Sequence, residues 1–488
     1  MPIKILVTGA TGYIGRSLIP RLLEAGYPVR VLVREPDRLR GRAWLEQVEV
    51  VQGDVLVPAT LPPAMEGIAV VYYLIHSLYA GVDFSPLDMQ AARNLGHAAR
   101  VAGVQRIIYL GALGDPASKL SPHLRSRQET GHALREAGVP VTEFRAGIII
   151  GSGSGSFEMI RYITERIPLL VCPPLILSRV QPIAIHNVLD YLVSALQTPA
   201  SVGRIVEIGG ADVLTYGDTL RGYARARGLR RRLLRVSLIS PQLAAAWGSV
   251  LTPVSYRIAQ PLFEGLHNEV VVRDRLAQEL FPHIQPLDYQ TALLLALAQL
   301  HPKQVDTSWI DAQAGLADQP VSSTTRVAEG MHIDRRCRTI AAHPTVVCSI
   351  LAGLGGEMGW LYANWAWRMR GFVDHLLGGG HYGRTCADPH DIRVGDILDF
   401  MRVESLEPGQ LVRLRDEYNP AGNFWLQWEA HLLPDGRTRL SQTIFFAPRG
   451  LLGLAYWLLF YGLHARIFTG LLREIGRKAE SRCGNSRE

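Results

Sequence analysis

Residues 3–15 read Ile3-Lys4-Ile5-Leu6-Val7-Thr8-Gly9-Ala10-Thr11-Gly12-Tyr13-Ile14-Gly15, and this stretch decides the fold of the N-terminal half. The run up to Thr8 is largely apolar on successive residues, as in a parallel strand covered on both faces. Leu18 and Leu22 follow Ile14 at helical spacing, with Ile19 and Leu23 beside them, so a helix is expected from about Tyr13 to Ala25, ended by Gly26. A strand, a Gly-x-x-Gly-x-x-Gly turn and a helix are therefore consecutive. In that context the first glycine permits the tight turn, the second lets the backbone approach a pyrophosphate, and the third lets the helix pack on the strand. Amides at the helix start then face the phosphates. Gly9, Thr11, Gly12, Tyr13, Ile14 and Gly15 are thus the expected phosphate-binding residues of a dinucleotide site.

Working outward, Val29–Val33, Val48–Val51, Val70–Ile75, Arg106–Leu110 and Val141–Ile150 are β-rich runs, and Met89–Ala102 reads as a helix closed by Gly103. Strands alternating with helices imply an α/β fold, a Rossmann-type, doubly wound parallel sheet. Pro20, inside the first helix, predicts a local bend because it removes a backbone donor. An NAD site usually carries Asp or Glu at the end of the second strand to hold the ribose 2′-hydroxyl. Here Arg34 stands there, with Arg38 nearby and Glu35 adjacent. A guanidinium pairs with a 2′-phosphate on two oxygens and offers a bare hydroxyl little, so NADP is the expected cofactor, with NAD as the alternative.

Residues 151–300 read as a smaller substrate lobe on the same unit. They hold a loop, Gly151-Ser152-Gly153-Ser154-Gly155-Ser156, that either cradles an anion or is a flexible connection. A helix is expected over Asn187–Leu196. Arg225, Arg227, Arg230, Arg231, Arg232 and Arg235 then form a basic run, which reads either as a contact for an anionic lipid surface or as a solvated helix end. Residues 301–323 lack periodicity and are the expected linker. From 324 to 480 the pattern changes. A helix near Pro344–Leu354 precedes strand-like runs at Ile397–Leu406, Gln410–Glu417, Phe424–Leu433 and Arg439–Phe446, and a long helix follows over about Leu451–Arg477. Antiparallel strands plus one long helix make an α+β module, with 481–488 as a tail.

The 488 residues are 48% apolar and 19% charged, enough for large cores and against disorder. A formal charge of +7 suits anionic ligands or a membrane surface, and with no RNA- or DNA-binding motif beside it nucleic acid is not expected. Five scattered cysteines read as reduced thiols. No signal peptide is visible, and the apolar stretch Leu451–His464 is about 14 residues, short of the roughly 18 that span a bilayer. A cytoplasmic protein is expected, with peripheral contact at the inner face of a membrane as the variant. Histidine spacing suggests no metal site, Asp388, His390 and Asp391 read as a loop, and there is no Gly-x-Ser-x-Gly elbow.

The glycine loop, Gly53-Asp54-Val55 after the third strand, Arg106–Gly111 as the fifth, and Gln181-Pro182-Ile183 before the helix at Asn187 resemble the short-chain dehydrogenase/reductase superfamily, in its atypical NmrA-like branch, over about residues 1–300. The resemblance implies that Asp54, with Val55, contacts adenine and that the loops at His76-Ser77 and Gly111-Ala112 border the cofactor. It also exposes a departure. Active members use Tyr-x-x-x-Lys, in which lysine lowers the tyrosine pKa. Here His123 and Arg127 stand at those positions, and no Tyr-x-x-x-Lys occurs between Leu110 and Val141. His123 is then either a substitute proton donor with Arg127 on the ribose or phosphate, or both are polar helix residues of a domain that binds without catalysis. The C-terminal part resembles a START-like, helix-grip domain through Asn364-Trp365-Ala366-Trp367-Arg368, Gly395-Asp396, Trp425-Leu426-Gln427-Trp428 and Phe445–Gly453. That resemblance implies an apolar cavity, with Trp365, Trp367, Trp425, Trp428, Tyr456 and Trp457 as lining or plain core.

Three readings follow. The first is an NAD(P)H-dependent oxidoreductase-like protein acting on or sensing a small hydrophobic carbonyl or lipid-like ligand. The second is a non-catalytic NADP(H) sensor or assembly factor with an unknown protein partner. The third is a lipid-binding protein at a membrane surface.

Overall fold

The computed structural model describes residues 3–39, 42–76, 84–172, 174–235, 264–298, 322–354, 359–367, 369–370, 392–416, 419 and 421–484. The chain divides into two compact units, Met1–Leu300 and His301–Glu488.

The first unit is built on a seven-stranded sheet. Its strands are β1 (Ile5–Thr8), β2 (Val29–Val33), β3 (Glu49–Gln52), β4 (Val70–Tyr73), β5 (Arg106–Ala112), β6 (Val141–Ala146) and β11 (Ile205–Ile208), ordered β11-β6-β5-β4-β1-β2-β3. Every neighbouring pair is parallel. All four β1 residues and all five of β2 are buried, as in parallel strands covered on both faces. The intervening helices are α1 (Tyr13–Glu24), the single turn α2 (Pro62–Met65), α3 (Phe84–Val101) and α4 (Pro122–Glu136). Pro20 lies within α1, which continues past it to Glu24.

After β1 the chain builds outward to β3, then returns to place β4 on the opposite side of β1. In such sheets the crevice over the carboxyl ends of the strands at this reversal is where ligands sit. Gly9, which follows β1, and Leu74, which follows β4, stand at this reversal.

Charged residues inside the sheet are held by named partners. Arg30 on β2 donates to the carbonyls of Pro63, Ala64 and Glu66, closing the end of α2, and pairs with Glu49 at 2.8 Å. Glu143 on β6 is fully enclosed between Arg135 at 2.5 Å and Arg145 at 2.7 Å.

The run Val141–Ile150 is not one strand. It breaks at Gly147, where a Cβ would stand 3.1 Å from Val270 Cγ1 and 3.2 Å from the Gln181 carbonyl. Beyond the break β7 (Ile149–Ile150) leaves the main sheet to pair in parallel with β10 (Ile183–Ala184). The lobe adds α5 (Gly155–Arg166), β8 (Leu169–Cys172), β9 (Arg179–Val180), α6 (Ile185–Ser194), β12 (Leu214–Thr215), α7 (Tyr216–Ala226), β13 (Arg232–Arg235), α8 (Leu276–Leu280) and α9 (Tyr289–Ala298). Within the basic run Arg227 pairs with Glu165 at 2.6 Å and Arg231 donates to the Thr164 and Glu165 carbonyls, while Arg225, Arg230 and Arg232 are exposed.

The second unit is a seven-stranded antiparallel sheet ordered β14-β15-β20-β19-β18-β17-β16. Its strands are β14 (Ser322–Ala328), β15 (Met331–Ile340), β16 (Ile397–Leu398), β17 (Met401–Glu407), β18 (Leu411–Asp416), β19 (Gly422–Leu432) and β20 (Thr438–Pro448). Three of the four later runs are strands as read, whereas Ile397–Leu406 is a hairpin of β16 and β17 that turns at Asp399, whose φ is +58°. The β14–β15 hairpin was not legible, because its residues are polar and β15 buries Asp334, Arg335 and Arg336 as ion pairs, Arg336 with Asp334 and Arg335 with Glu429. Ser322 and Ser323, expected in the linker, are the first residues of that hairpin; residues 301–321 lie outside the described residues. The helices are α10 (Pro344–Ala352) and α11 (Gly450–Gly484), which runs into the expected tail. Ile467, Phe468, Leu471, Leu472, Ile475 and Ala479 of α11 pack into the core with Val403, Leu414, Leu426 and Ile444 of the sheet. The N-terminal half of α11 instead exposes Leu452, Leu458 and Leu459. By length and composition α11 could also cross a bilayer, a test that the core helix of a soluble protein passes as well.

Of the aromatics singled out, Trp367, Trp425, Trp428 and Trp457 are buried, Tyr456 is partly buried and Trp365 is 60% exposed. Trp428 Nε1 donates to Gln442 at 2.9 Å.

Candidate functional site

The glycine loop has the geometry that its sequence predicts. Gly9 sits at φ +73°, in the left-handed region, and a Cβ there would lie 2.7 Å from the Leu74 carbonyl oxygen. A Cβ on Gly15 would lie 2.3 Å from the Gly9 carbonyl, so helix and strand approach as closely as only glycine allows. Gly12 caps α1 without a side-chain cap, its N–H donates to the Gly9 carbonyl, and no acidic residue occupies the first turn. A helix start without a carboxylate of its own suits an anion in both dipole and donor terms. A dinucleotide pyrophosphate would fit here, on the backbone between Gly9 and Gly15.

At the end of β2, Arg34 is exposed and its carbonyl accepts from Gln52. Arg38, on the turn that follows, pairs with Glu35 at 3.3 Å. At the end of β3, the Asp54 carboxylate accepts from the Leu56 N–H at 2.9 Å, which fixes the turn, and Val55 is buried with its carbonyl on Asn94. Gly111, near the end of β5, is buried against Tyr109 and Glu143.

His76 and His123, 47 residues apart, meet: His76 Nε2 lies 3.2 Å from His123 Nδ1. The other nitrogen of His76, Nδ1, lies 2.8 Å from the buried Asp88 carboxylate on α3. Ser126 Oγ donates to the same Asp88 oxygen. Burial holds both imidazoles below the ordinary value of 6.5, His123 at about 3. Arg127 takes a different part. Its guanidinium donates to the Leu110 and Ile75 carbonyls and covers the Tyr109 ring, and Tyr109 in turn donates to the Arg127 carbonyl at 2.7 Å. Arg127 therefore braces the ends of β4 and β5 rather than standing free beside His123.

The structure thus places the glycine loop, which follows β1, beside the segment leading to His76, which follows β4. Asp88 was not readable in advance, since a single aspartate in Phe84-Ser85-Pro86-Leu87-Asp88 carries no spacing signal. The Gly151–Ser156 loop receives an anion from the chain itself: Glu158 accepts from the Gly153 N–H at 2.9 Å and from Arg161, whose guanidinium also reaches Ser152. Among the described residues no cluster of three His, Cys, Asp or Glu is placed to hold a metal. Asp388, His390 and Asp391 lie outside them.

Residues 9–153 match a family described as NAD(P)H-binding, and residues 327–471 match a protein family of unknown function, DUF2867. A protein named ceramide reductase from Caulobacter vibrioides is 30% identical over 257 residues, covering 50% of this chain and 78% of that protein. A photosystem II assembly factor, Ycf39, from Cyanophora paradoxa is 33% identical over 147 residues, 29% of this chain and 44% of that one. A solved triphenylmethane reductase from Citrobacter sp. superimposes with a TM-score of 0.50 at 21% identity, over 61% of this chain and all of that one, a likeness of fold. A nucleotide cradle at the reversal of a parallel sheet and these sequence matches agree, and the chain belongs to the NAD(P)H-binding, NmrA-like branch of the atypical short-chain dehydrogenase/reductases.

Proposed function

We propose that this protein is an NADP(H)-dependent reductase of a hydrophobic, lipid-like carbonyl. The carrying observation is the backbone cradle at Gly9–Gly15, with Arg34 exposed at the end of β2 and His76, which follows β4, in contact with His123 on α4. The guanidinium of Arg34, with Arg38, receives a 2′-phosphate; Asp54 and Val55 border the adenine; the segments at His76 and Gly111 border the nicotinamide end. When bound, the reduced cofactor supplies a hydride. His123 supplies or accepts the proton at the substrate oxygen, in place of the tyrosine of Tyr-x-x-x-Lys. Arg127 keeps the strand ends in register for it.

The lipid-like character is supported by the Caulobacter relative, which is named for ceramide. It is supported further by the α+β unit, whose combination of an antiparallel sheet and a long helix we read as a helix-grip module that holds or presents the apolar ligand. The exposed leucines of α11 favour work at the inner surface of a membrane. The test is loss of reduced-nicotinamide absorbance with NADPH and a panel of long-chain aldehydes and keto-lipids presented in anionic vesicles. Turnover with these and not with short, polar carbonyls is expected. NADPH binding without turnover on any of them favours the second reading, an NADP(H) sensor or assembly factor, to which the similarity with Ycf39 lends weight.

A further inference from the structure

Two imidazoles are in direct hydrogen-bond contact, one of them anchored to a buried carboxylate. His76 follows β4, Asp88 lies on α3 and His123 lies on α4, so three separate elements converge. The groups that act on the pair are Asp88 from α3 and Arg127 from α4.

We propose that Asp88, His76 and His123 form a relay that fixes the tautomers of both histidines and presents His123 Nε2 as the proton-exchanging atom of the site. This rests on the reductase reading above. The tautomers follow from donor and acceptor bookkeeping. A carboxylate only accepts, so His76 carries its proton on Nδ1 and points it at Asp88. His76 Nε2 is then a lone pair. It accepts from His123, which must carry its proton on Nδ1. The remaining nitrogen, His123 Nε2, is left with a lone pair at rest. Burial opposes a proton on Nε2, and the Asp88 carboxylate, acting through His76, offsets part of that cost. When a carbonyl is reduced, that proton leaves Nε2 for the substrate oxygen and His123 returns to its neutral tautomer. Oxidation of an alcohol runs the same transfer backwards. Asp88 remains a carboxylate throughout, as the orienting acid does in hydrolase triads. His76 and Asp88 are positioning residues. Ser126, donating to the same oxygen as His76, keeps the carboxylate turned toward the ring.

The test is long-range NMR correlation of isotope-labelled imidazole nitrogens in the full chain, without substrate, beside calorimetric titration with NADPH. The relay predicts His123 as the Nδ1–H tautomer in the wild type and a mixture of tautomers in Asp88→Asn. His76→Phe removes the acceptor altogether, predicts the same mixture, and serves where Asp88→Asn does not fold. A wild-type His123 protonated on Nε2, or a His123 tautomer indifferent to both substitutions, overturns the relay. If the tautomers are as stated and NADPH gives no heat, the dinucleotide reading fails while the relay stands. If NADPH binds and the tautomers are wrong, the relay alone fails.

Discussion

The carbonyl oxygen of Leu74, one residue past β4, lies 2.7 Å from where a side chain on Gly9 would begin. This contact ties the phosphate loop to the strand end that leads to His76. A methyl group there would have to push the two apart, at a residue whose positive φ already disfavours any side chain. Gly9→Ala is expected to destabilise the first unit by about 1–3 kcal/mol, the usual cost of overpacking. The same substitution is expected to weaken NADPH binding by more than about tenfold, roughly the consequence of losing 1.4 kcal/mol of contact. Chemical denaturation and a binding isotherm on the same preparation check both.

Glu143 is held between Arg135 and Arg145 with no solvent contact, and it packs under Gly111 and Gly131. Removing one member of a buried ion pair leaves the others charged and uncompensated. Glu143→Ala should cost about 3–5 kcal/mol, measured by urea unfolding.

Much of the first unit was legible because its signals are local. The apolar run of β1, the glycine spacing and the helical period of α1 all lie within one βα unit, and the observed β2 is Val29–Val33 as read. Arg34 could be placed for the same reason. What escaped was non-local. The break at Gly147 depends on Val270 and Gln181, far along the chain. The β14–β15 hairpin hides because arginines paired with carboxylates replace the apolar alternation that marks a strand. At the site, His123 was found by its position and His76 by its loop. Their contact, and the part of Asp88, needed three elements folded together.

Both histidines of the pair have pKa values below the ordinary 6.5, chiefly through burial. The unfolded chain therefore takes up protons near pH 6.5 that the folded chain refuses, at His123 down to about 3. Stability is fully present above pH 6.5 and is lost as pH falls through that window, by up to about 1.4 kcal/mol per pH unit for one proton. His123→Gln should flatten this acid slope. Urea midpoints collected from about pH 7 down to about pH 4 measure it, and an unaltered slope would contradict the burial argument.

In the second unit Trp360 stacks on Trp367 at 4.3 Å between ring centroids, and its Nε1 donates to Asp399 at 2.7 Å. It is 1% exposed. Trp360→Ala should cost about 3–5 kcal/mol, as large aromatic truncations in cores do, and should diminish the near-ultraviolet circular dichroism of the stacked indoles.

The central claim is a dinucleotide held on the Gly9–Gly15 amides with its 2′-phosphate on Arg34. Calorimetric titration of the folded protein with NADPH, NADP, NADH and NAD tests it most directly, with Arg34→Ala as the companion. Saturable heat is expected with NADPH, tighter than with NADH by about tenfold or more, and Arg34→Ala should erase most of that preference, since a charge-assisted pair contributes roughly 1.5–3 kcal/mol. No heat with any of the four nucleotides would contradict the account.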